Sequence, residues 1–416
     1  MARFWGGLFA AMLLAAAHAA DAETTVLRVD GYIEQSNDAL GQISFKLQQV
    51  DQRFVIARAK IADPDAVLQA LKDSYDKSVS LTVRYDPETA TFELGSNIPS
   101  YVVRQLVFDG KTVDADETTP PRRAEGLPAW EQAEFALGRA IAYAGAGKTE
   151  LARPLLDKAI ATSKLRTGLK ALALKNRNQL IEEDALAQLP AGEARDRTLV
   201  AALADARAWQ ALAPDDEHAA MRVAWNLREL GAYDEAEAVC KDALTRWPDA
   251  AYMIWRAIAA LHRDGGNPAL ALDDLAKLAA VPGAADSMPY HYHRGWTLEE
   301  MGRWDEAIAD FTEGLKFQPD YDGAYWRRAC AYAETGRLGE ALADFRTATK
   351  YRAAYMENFP PTPGSTFDNQ RYRSVEQTVT DALAKDGHQR ITGLCRGYWD
   401  WGDTPRPRSK LLPPKP

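Results

Sequence analysis

Apolar and polar residues follow two different periods along the chain. Between residues 24 and 118, runs such as TTVLRVDGYIE, QISFKLQQV and QRFVIARAKI alternate between apolar and polar residues and are rich in β-branched and aromatic side chains. This pattern is typical of half-buried strands. From residue 129 onwards, apolar residues instead recur at helical spacing, as in WEQAEFALGRAIAYAG. The sequence therefore predicts a β-rich region followed by a long helical region.

The β-rich region predicts one small domain over residues 24–112. Three strand-like runs precede DPDAVLQALKDSY, which predicts a helix capped by Asp63 with Pro64 in its first turn. VSLTVRYDPETATFEL, which predicts a hairpin, and the strand-like run YVVRQLVFDG follow. This order is that of a small OB-like barrel, the oligonucleotide- and oligosaccharide-binding type, although another compact β-barrel or a sandwich with one helix fits nearly as well. Residues 113–128, with three prolines, predict a linker.

A repeat of 34 residues runs through the second half of the chain. The run MGRWDEAIADFTEGLKFQP, from Met301, matches TGRLGEALADFRTATKY, from Thr335, at a constant offset of 34 residues. LGAYDEAEAVCKDALTRWP and GGNPALALDDLAKLAAVP repeat the pattern earlier, the latter with a slip of one residue. The glycine suits the end of a first helix, the alanine allows two helices to approach closely, and a proline stops the second helix.

These spacings resemble the tetratricopeptide repeat (TPR), a helix–turn–helix unit of about 34 residues. Clear units are recognisable at about 217–250, 251–286, 288–321 and 322–355. Residues 165–213 predict one or two degenerate units. The resemblance implies an α-helical TPR solenoid, right-handed and of about six helix pairs, over residues 129–355.

The residues after the array predict a cap and a tail. The run FPPTPG breaks the helical pattern within residues 356–367, and residues 368–402 begin with a helical run that we expect to cap the array. Residues 403–416 are rich in proline and in cationic side chains, so we expect a disordered tail.

The run AYAGAGKTEL is close to the phosphate-binding pattern G-x-x-x-x-G-K-[ST], in which Lys148 would hold phosphate and Thr149 magnesium. A phosphate loop follows a buried strand, whereas the residues before Gly147 predict a helix. We therefore interpret GKTE as the turn between two repeat helices. Nucleotide hydrolysis is less favoured than the two binding functions given at the end of this section.

Residues 1–22 predict a secretory signal peptide. Arg3 precedes an apolar run that is too short to span a bilayer, and small residues at the end of this stretch offer cleavage sites. We expect a soluble periplasmic or secreted protein with no membrane span. The cysteines, Cys240, Cys330 and Cys395, are odd in number, and buried thiols that act as small apolar residues are the favoured interpretation.

Composition and motifs do not favour an enzyme. The net charge is -9, with no long block of like charge, so nucleic acid is not an expected partner. No G-x-S-x-G run is present. His291 and His293 could suggest a metal site, but side chains two residues apart on a helix point about 200° from each other. We expect no catalytic residues, no metal and no cofactor.

An aromatic and basic ladder is the candidate binding site. First helices in this family line a concave groove, and equivalent places in successive repeats carry tryptophan, tyrosine and arginine, which are typical of binding hot spots. The candidate partner-binding residues are Arg222, Trp225, Trp255, Arg256, Tyr292, Trp296, Trp326 and Arg327. The alternative is that these rings pack between adjacent repeats. The lysines and asparagines with which some members clamp C-terminal carboxylates are absent from these places, so that specificity is not implied.

The sequence thus predicts a non-enzymatic protein–protein interaction scaffold that binds a partner peptide in the concave TPR groove. The alternative is an envelope polysaccharide- or glycan-binding protein that acts through its N-terminal β domain. The partner protein and the oligomeric state stay open.

Overall fold

The computed structural model describes residues 26–414 with the exception of residues 32, 40–41, 49, 51, 62, 78–79, 94, 109–110, 116–119, 121, 190–191, 359–368, 386–388 and 396–404. Contacts divide the chain into two compact units. The first extends to Leu180 and includes residues 211–213, and the second consists of residues 181–210 and of the chain from Pro214 onwards. The predicted signal peptide and most of the predicted breaker lie outside the described residues.

The N-terminal strands pair into one seven-stranded sheet. Its strands are β1 (Leu27–Gly31), β2 (Ile33–Ala39), β3 (Gln42–Leu47), β4 (Arg53–Ala57), β5 (Leu81–Phe92), β6 (Pro99–Phe108) and β7 (Lys111–Asp114). They run in the order β1-β5-β6-β4-β3-β2, with β7 paired to β6. The β4–β6 pair is parallel and the other described pairs are antiparallel. Helix α1 (Pro64–Lys77) connects β4 to β5, and Asp63 caps it by accepting a hydrogen bond from the Ala66 amide at 3.0 Å.

The sheet is open rather than closed into a barrel. β1 and β2 stand at the two ends of the strand order, and no pairing among the described residues joins them. The structure corrects the prediction of an OB-like barrel in this respect. Alternation along a strand determines which side chains share a face, whereas the choice of partner strand depends on contacts that are distant in sequence, such as that of Phe54 with Tyr101.

Three aromatic rings form the centre of the first unit. Phe54, Tyr85 and Tyr101 are at most 1% exposed, and their ring centroids lie between 5.1 and 6.5 Å apart. The Tyr101 hydroxyl donates to the Gly138 carbonyl, in helix α2 (Ala129–Gly145), at 2.7 Å. A Cβ at Gly138 would lie only 2.6 Å from that of Ala90, so a larger residue would push α2 away from β5. The first helix of the array thus belongs to the same unit as the sheet.

Within the described ranges, twelve helices in six successive twos and a last helix follow the sheet. Five of these twos pack together as pairs: α2 with α3 (Thr149–Ala161), α6 (Glu217–Glu229) with α7 (Tyr233–Arg246), α8 (Ala251–Asp264) with α9 (Pro268–Ala279), α10 (Met288–Glu300) with α11 (Trp304–Phe317), and α12 (Asp322–Glu334) with α13 (Leu338–Asn358). Helices α4 (Thr167–Gln188) and α5 (Glu193–Leu212) take the place of the remaining pair, and their buried leucines belong to different core clusters. Helix α14 (Asn369–Lys385) buries Val375 and Val379 in the same core cluster as Phe345 of α13. The predicted helical array of about six pairs is confirmed.

Glycine closes the turn inside most of these pairs. In four repeats the turn residue has φ between +69° and +84°: Gly231, Gly266, Gly302 and Gly336. Residues with a Cβ are strained in this conformation. Gly147 has the same conformation, with φ +68°, and helix α2 precedes it. The Lys148 amide donates to the Tyr143 carbonyl at 2.9 Å, as at the end of a helix. The interpretation of GKTE as a repeat turn is confirmed.

Two of the three cysteines are joined. Cys330, in α12, forms a disulfide with Cys395, and Cys240 is free and buried. The expectation of unpaired buried thiols is therefore wrong for Cys330 and Cys395, which lie 65 residues apart in the sequence. Burial raises the pKa of the Cys240 thiol to about 12, so this thiol stays protonated and acts as a small apolar side chain.

The predicted disordered tail, residues 403–416, is also corrected. The structure describes residues 405–414 and packs them against α6 and α7, with Leu412 only 5% exposed. Composition predicted disorder because prolines and cationic side chains dominate this stretch. In the structure, Arg406 and Arg408 pair with carboxylates and Leu412 is buried in a hydrophobic core.

We expect the disulfide to stabilise the second unit mainly by restricting its unfolded chain. Replacing Cys395→Ser should lower the free energy of unfolding by about 2–4 kcal/mol, because a long loop is then no longer closed. Urea unfolding followed by circular dichroism measures this change. A reducing agent should shift the wild-type curve by a similar amount and leave Cys395→Ser unchanged; a wild-type curve that does not respond to the reductant would contradict the prediction.

Candidate functional site

Side chains of three consecutive first helices meet around Trp296 of α10. The guanidinium carbon of Arg263, from α8, lies 3.5 Å from the centre of the indole ring, and that of Arg327, from α12, lies 3.7 Å from it. At these distances two guanidinium groups fit only on opposite faces of the ring. Cation–π attraction therefore holds Trp296 between neighbouring repeats. We call Trp296, Arg263, Arg327, His293 and Tyr292 the Trp296 cluster.

Carboxylates compensate one side of the cluster. Arg327 pairs with Glu299 at 2.7 Å and donates to the Tyr292 hydroxyl at 3.2 Å. The Trp296 indole N–H donates to Glu300 at 3.1 Å. Both faces and the polar edge of the ring are thereby fixed, so the ring is positioned before any ligand arrives.

A second carboxylate compensates the other side. Asp264, at the end of α8, pairs with Arg263 at 2.9 Å and also accepts from Arg228 of α6. The Arg228 guanidinium carbon lies 4.7 Å from the ring centre of Trp225. Burial opposes ionisation of Asp264, but the two arginines outweigh it and lower the pKa of this carboxyl.

His293 is neutral within this cationic surrounding. Burial, and then the charge of Arg263 and of neighbouring arginines, hold the pKa of His293 well below its usual range. Its Nδ1 atom lies 3.3 Å from an Arg263 nitrogen, and its ring stacks on Trp296 with centroids 6.4 Å apart. Because a guanidinium can only donate, Nδ1 accepts and the ring proton lies on Nε2.

The pKa of Glu299 is raised, whereas that of His293 is lowered. Burial raises the pKa of Glu299 to about 7, and the attraction of Arg327 offsets this only in part. The carboxyl is 8% exposed, so ionisation takes place against a large loss of hydration. The cluster therefore gains negative charge as the pH rises through neutrality.

The predicted arginines differ in how much of their charge is free. Arg222 pairs with Glu182 at 2.6 Å, and Arg327 pairs with Glu299 as described above. Arg256, half-buried on α8, makes no ion pair with any residue in the described part of the chain and lies 5.8 Å from the ring centre of Tyr252. Its charge acts on His293, which places it beside the cluster.

The predicted aromatic residues also separate into groups. Tyr292 and Trp296 belong to the cluster, and Trp225 is half-buried on α6. Trp326 is 1% exposed and packs edge-on against Phe345 at 4.7 Å, so the prediction of an exposed groove anchor is wrong for this residue. Trp255 lies 4.7 Å from the Lys277 ammonium of α9 and lines a separate cavity, away from the cluster. Both of these rings contact the second helix of their own repeat, α13 for Trp326 and α9 for Trp255.

The predicted set of aromatic and basic residues did not include most of the charged residues at the ends of the first helices. Two residues before each turn glycine stands an acid: Glu229, Asp264, Glu300 and Glu334. The preceding position holds Arg228, Arg263 and Glu299 in the first three of these repeats. Aligning the repeats on the turn glycine would have shown this recurrence, whereas aligning them on aromatic residues hid it.

Metal and membrane sites receive no support from the described residues. His291 faces Asp310 at 3.1 Å while His293 faces Arg263, so the two histidines serve different partners. No group of three or more potential metal ligands occurs in the described part of the chain. None of the described helices combines the length and the apolar character that crossing a bilayer requires.

We expect Glu299 to make stability depend on pH near neutrality. Its pKa is about 7 in the folded chain against 4.5 ordinarily, so between these values the folded state holds a proton that the unfolded state has lost. Raising the pH from about 5 to about 7 should therefore destabilise the wild type relative to Glu299→Gln, by about 2 kcal/mol. Urea unfolding at the two pH values measures the difference, with Asp249→Asn, an exposed carboxyl just before α8, as control. Parallel pH profiles for wild type and Glu299→Gln would contradict this assignment.

Comparison with protein-family models matches residues 289–321 and residues 322–355 to the tetratricopeptide repeat. The matched stretches correspond to α10 with α11 and to α12 with most of α13. A comparison with curated proteins finds no match.

Solved structures similar to parts of the chain include a thermophilic TPR protein of Thermus thermophilus, at 23% identity and TM-score 0.35, covering 44% of this chain and 91% of that one. MamA 41-end from Desulfovibrio magneticus RS-1 has 17% identity and TM-score 0.34, over 45% and 98%. YrrB, described as a TPR protein with an unusual peptide-binding site, has 19% identity and TM-score 0.30, over 49% and 95%. The family matches, together with the helix pairs and their glycine turns, show that the chain contains tetratricopeptide repeats.

Proposed function

We propose that this protein is a non-enzymatic interaction scaffold whose first helices bind a peptide segment of a partner protein in the concave groove of the array. The proposed contact residues are Arg222, Trp225, Arg256, Tyr292, Trp296 and Arg327. Trp255 and Trp326 are left out, because Trp326 is 1% exposed and Trp255 lines the cavity beside Lys277.

The free charge of Arg256 is the observation that carries this proposal. Its neighbours Arg263 and Arg327 already have carboxylate partners, whereas none of the described residues pairs with Arg256. A half-buried cation without a partner gains from a carboxylate that arrives with a ligand. Because the neighbouring His293 is neutral, it repels neither the Arg256 guanidinium nor a carboxylate that approaches it.

The chemistry of this surface favours an acidic segment with an apolar or aromatic side chain. Arg256 offers a two-pronged donor to a carboxylate, and the half-buried rings of Trp225 and Tyr292 offer apolar area at a small cost in side-chain entropy. Because the ring of Trp296 is held by two cations, little ordering is required of it on binding.

Arg256→Gln should weaken binding of acidic peptides by about 10–100-fold, because a hydrogen bond to a charged group contributes about 1.5–3 kcal/mol. The measurement is fluorescence anisotropy with labelled peptides chosen from an array of synthetic sequences that differ in acidity. Affinity of the wild type should also fall with added salt.

The matched control is Arg303→Gln, which removes an exposed arginine that stands just before α11 and pairs with Glu306 in the first turn of that helix. This variant should bind like the wild type. Equal affinity of Arg256→Gln and wild type for every acidic peptide would refute the proposed groove.

We also propose that the protein is exported. Two observations support this: the signal-like pattern of residues 1–22 and the pairing of Cys330 with Cys395. Disulfides persist in oxidising compartments such as the periplasm and are rare in the cytosol.

The alternative, glycan binding through the N-terminal sheet, has less support. The rings of Phe54, Tyr85 and Tyr101 are buried against one another, so they offer no face for a sugar to stack on. Titration of the full chain with envelope polysaccharide separates the two functions: binding that Arg256→Gln leaves intact, without any binding of acidic peptides, would favour the alternative.

A further inference from the structure

Residues 405–414, which we call the C-terminal segment, lie on the turns of two consecutive repeats, and the Leu412 amide closes a turn onto the Ser409 carbonyl. The Ser409 amide donates to the Leu230 carbonyl at 2.8 Å, and the Arg406 amide donates to the Tyr233 hydroxyl at 3.2 Å. Backbone groups at two points of the segment are thus satisfied by the turn between α6 and α7. This is peptide recognition through the main chain.

The turn glycines permit this close approach. A Cβ at Gly231 would lie 2.5 Å from the Pro407 carbonyl oxygen, and one at Gly266 would lie 2.8 Å from the Pro405 ring. At the equivalent Gly302 the nearest atom is 4.0 Å away, on Trp304 of the same repeat. The glycines of the α6–α7 and α8–α9 turns therefore have a second role that the glycine of the next repeat does not share.

Opposite charges fix the register of the segment. Arg406 pairs with Glu229 at 2.8 Å and also donates to the Glu229 carbonyl at 3.2 Å. Arg408 pairs with Glu235 at 2.6 Å. Glu229 is only 4% exposed, so its charge requires compensation within the protein.

An apolar anchor completes the contact. Leu412 is 5% exposed and joins the core cluster of α6, α7 and α8, whereas Leu411 points outward at 38% exposure. Lys410 is exposed. Two cations, a main-chain bond and one buried leucine give a pattern that discriminates among sequences.

We propose that this surface, formed by Glu229, Leu230, Gly231, Tyr233, Glu235 and Gly266, is a binding site for an Arg-Pro-Arg-Ser-Lys-Leu-Leu segment, and that the chain's own residues 406–412 occupy it in cis. The site is acidic and takes a basic peptide, so it is distinct from the Arg256 surface and does not depend on the function proposed above. Because the segment is tethered, its effective concentration is about millimolar, and a free peptide of the same chemistry must compete with it.

The test uses the full chain and a labelled synthetic peptide of residues 404–416. Replacing Arg406→Ala, Arg408→Ala and Leu412→Ala together removes the anchors of the tethered segment. This released variant should bind the peptide at least tenfold more tightly than the wild type, and adding Glu229→Gln and Glu235→Gln should remove that binding. A peptide of scrambled order should not bind. Peptide binding to the released variant that is no tighter than to the wild type overturns the proposal.

Two controls keep the result independent of folding and of oligomerisation. Lys410→Ala, which changes an exposed residue of the same segment, should bind the peptide as weakly as the wild type does. In the unchanged protein, the Ser409 amide should exchange with solvent more slowly than in the released variant; equal exchange overturns the docking. Dimerisation that depends on concentration and disappears in the released variant would place the segment on a second copy and overturn occupation in cis.

Discussion

Compensation of charges that are buried at the ends of the first helices is the constraint on which both proposed sites depend. Glu229, Asp264 and Glu299 are each enclosed by protein, and each is paired with an arginine. A buried charge without a partner costs several kcal/mol, whereas a paired one is tolerated. For the binding properties of both proposed surfaces, the distinction between paired and unpaired arginines therefore matters more than the exposure of aromatic rings.

The helical half of the fold could be predicted because its determinants are local. Gly231 and its equivalents need a left-handed backbone, and the small alanines follow at fixed distances, so both recur at one period in the sequence. The open sheet could not be predicted in the same way. The parallel pairing of β4 with β6 joins strands separated by a helix and by β5, and nothing in the alternation of either strand specifies that partner.

The candidate site was predicted only in part, for a related reason. Tyr292 and Trp326 occupy equivalent places one repeat apart, yet one ring joins the cluster and the other is buried against Phe345. A repeat alignment gives the helix position of a side chain but not its rotamer, which depends on the neighbouring repeat. The disulfide and the docked segment escaped prediction because Cys395 and Leu412 meet partners in helices far earlier in the chain.

A series of neighbouring charged side chains connects the two proposed surfaces. Arg406 contacts Glu229, Glu229 lies 3.6 Å from Arg228, and Arg228 shares Asp264 with Arg263. Arg263 in turn covers one face of Trp296. Arg406 is one of three cations beside Glu229, the others being Arg195 and Arg228. The series ends at Trp296, a proposed contact of the groove ligand, and any energetic coupling between that ligand and the tethered segment has to be equal in both directions.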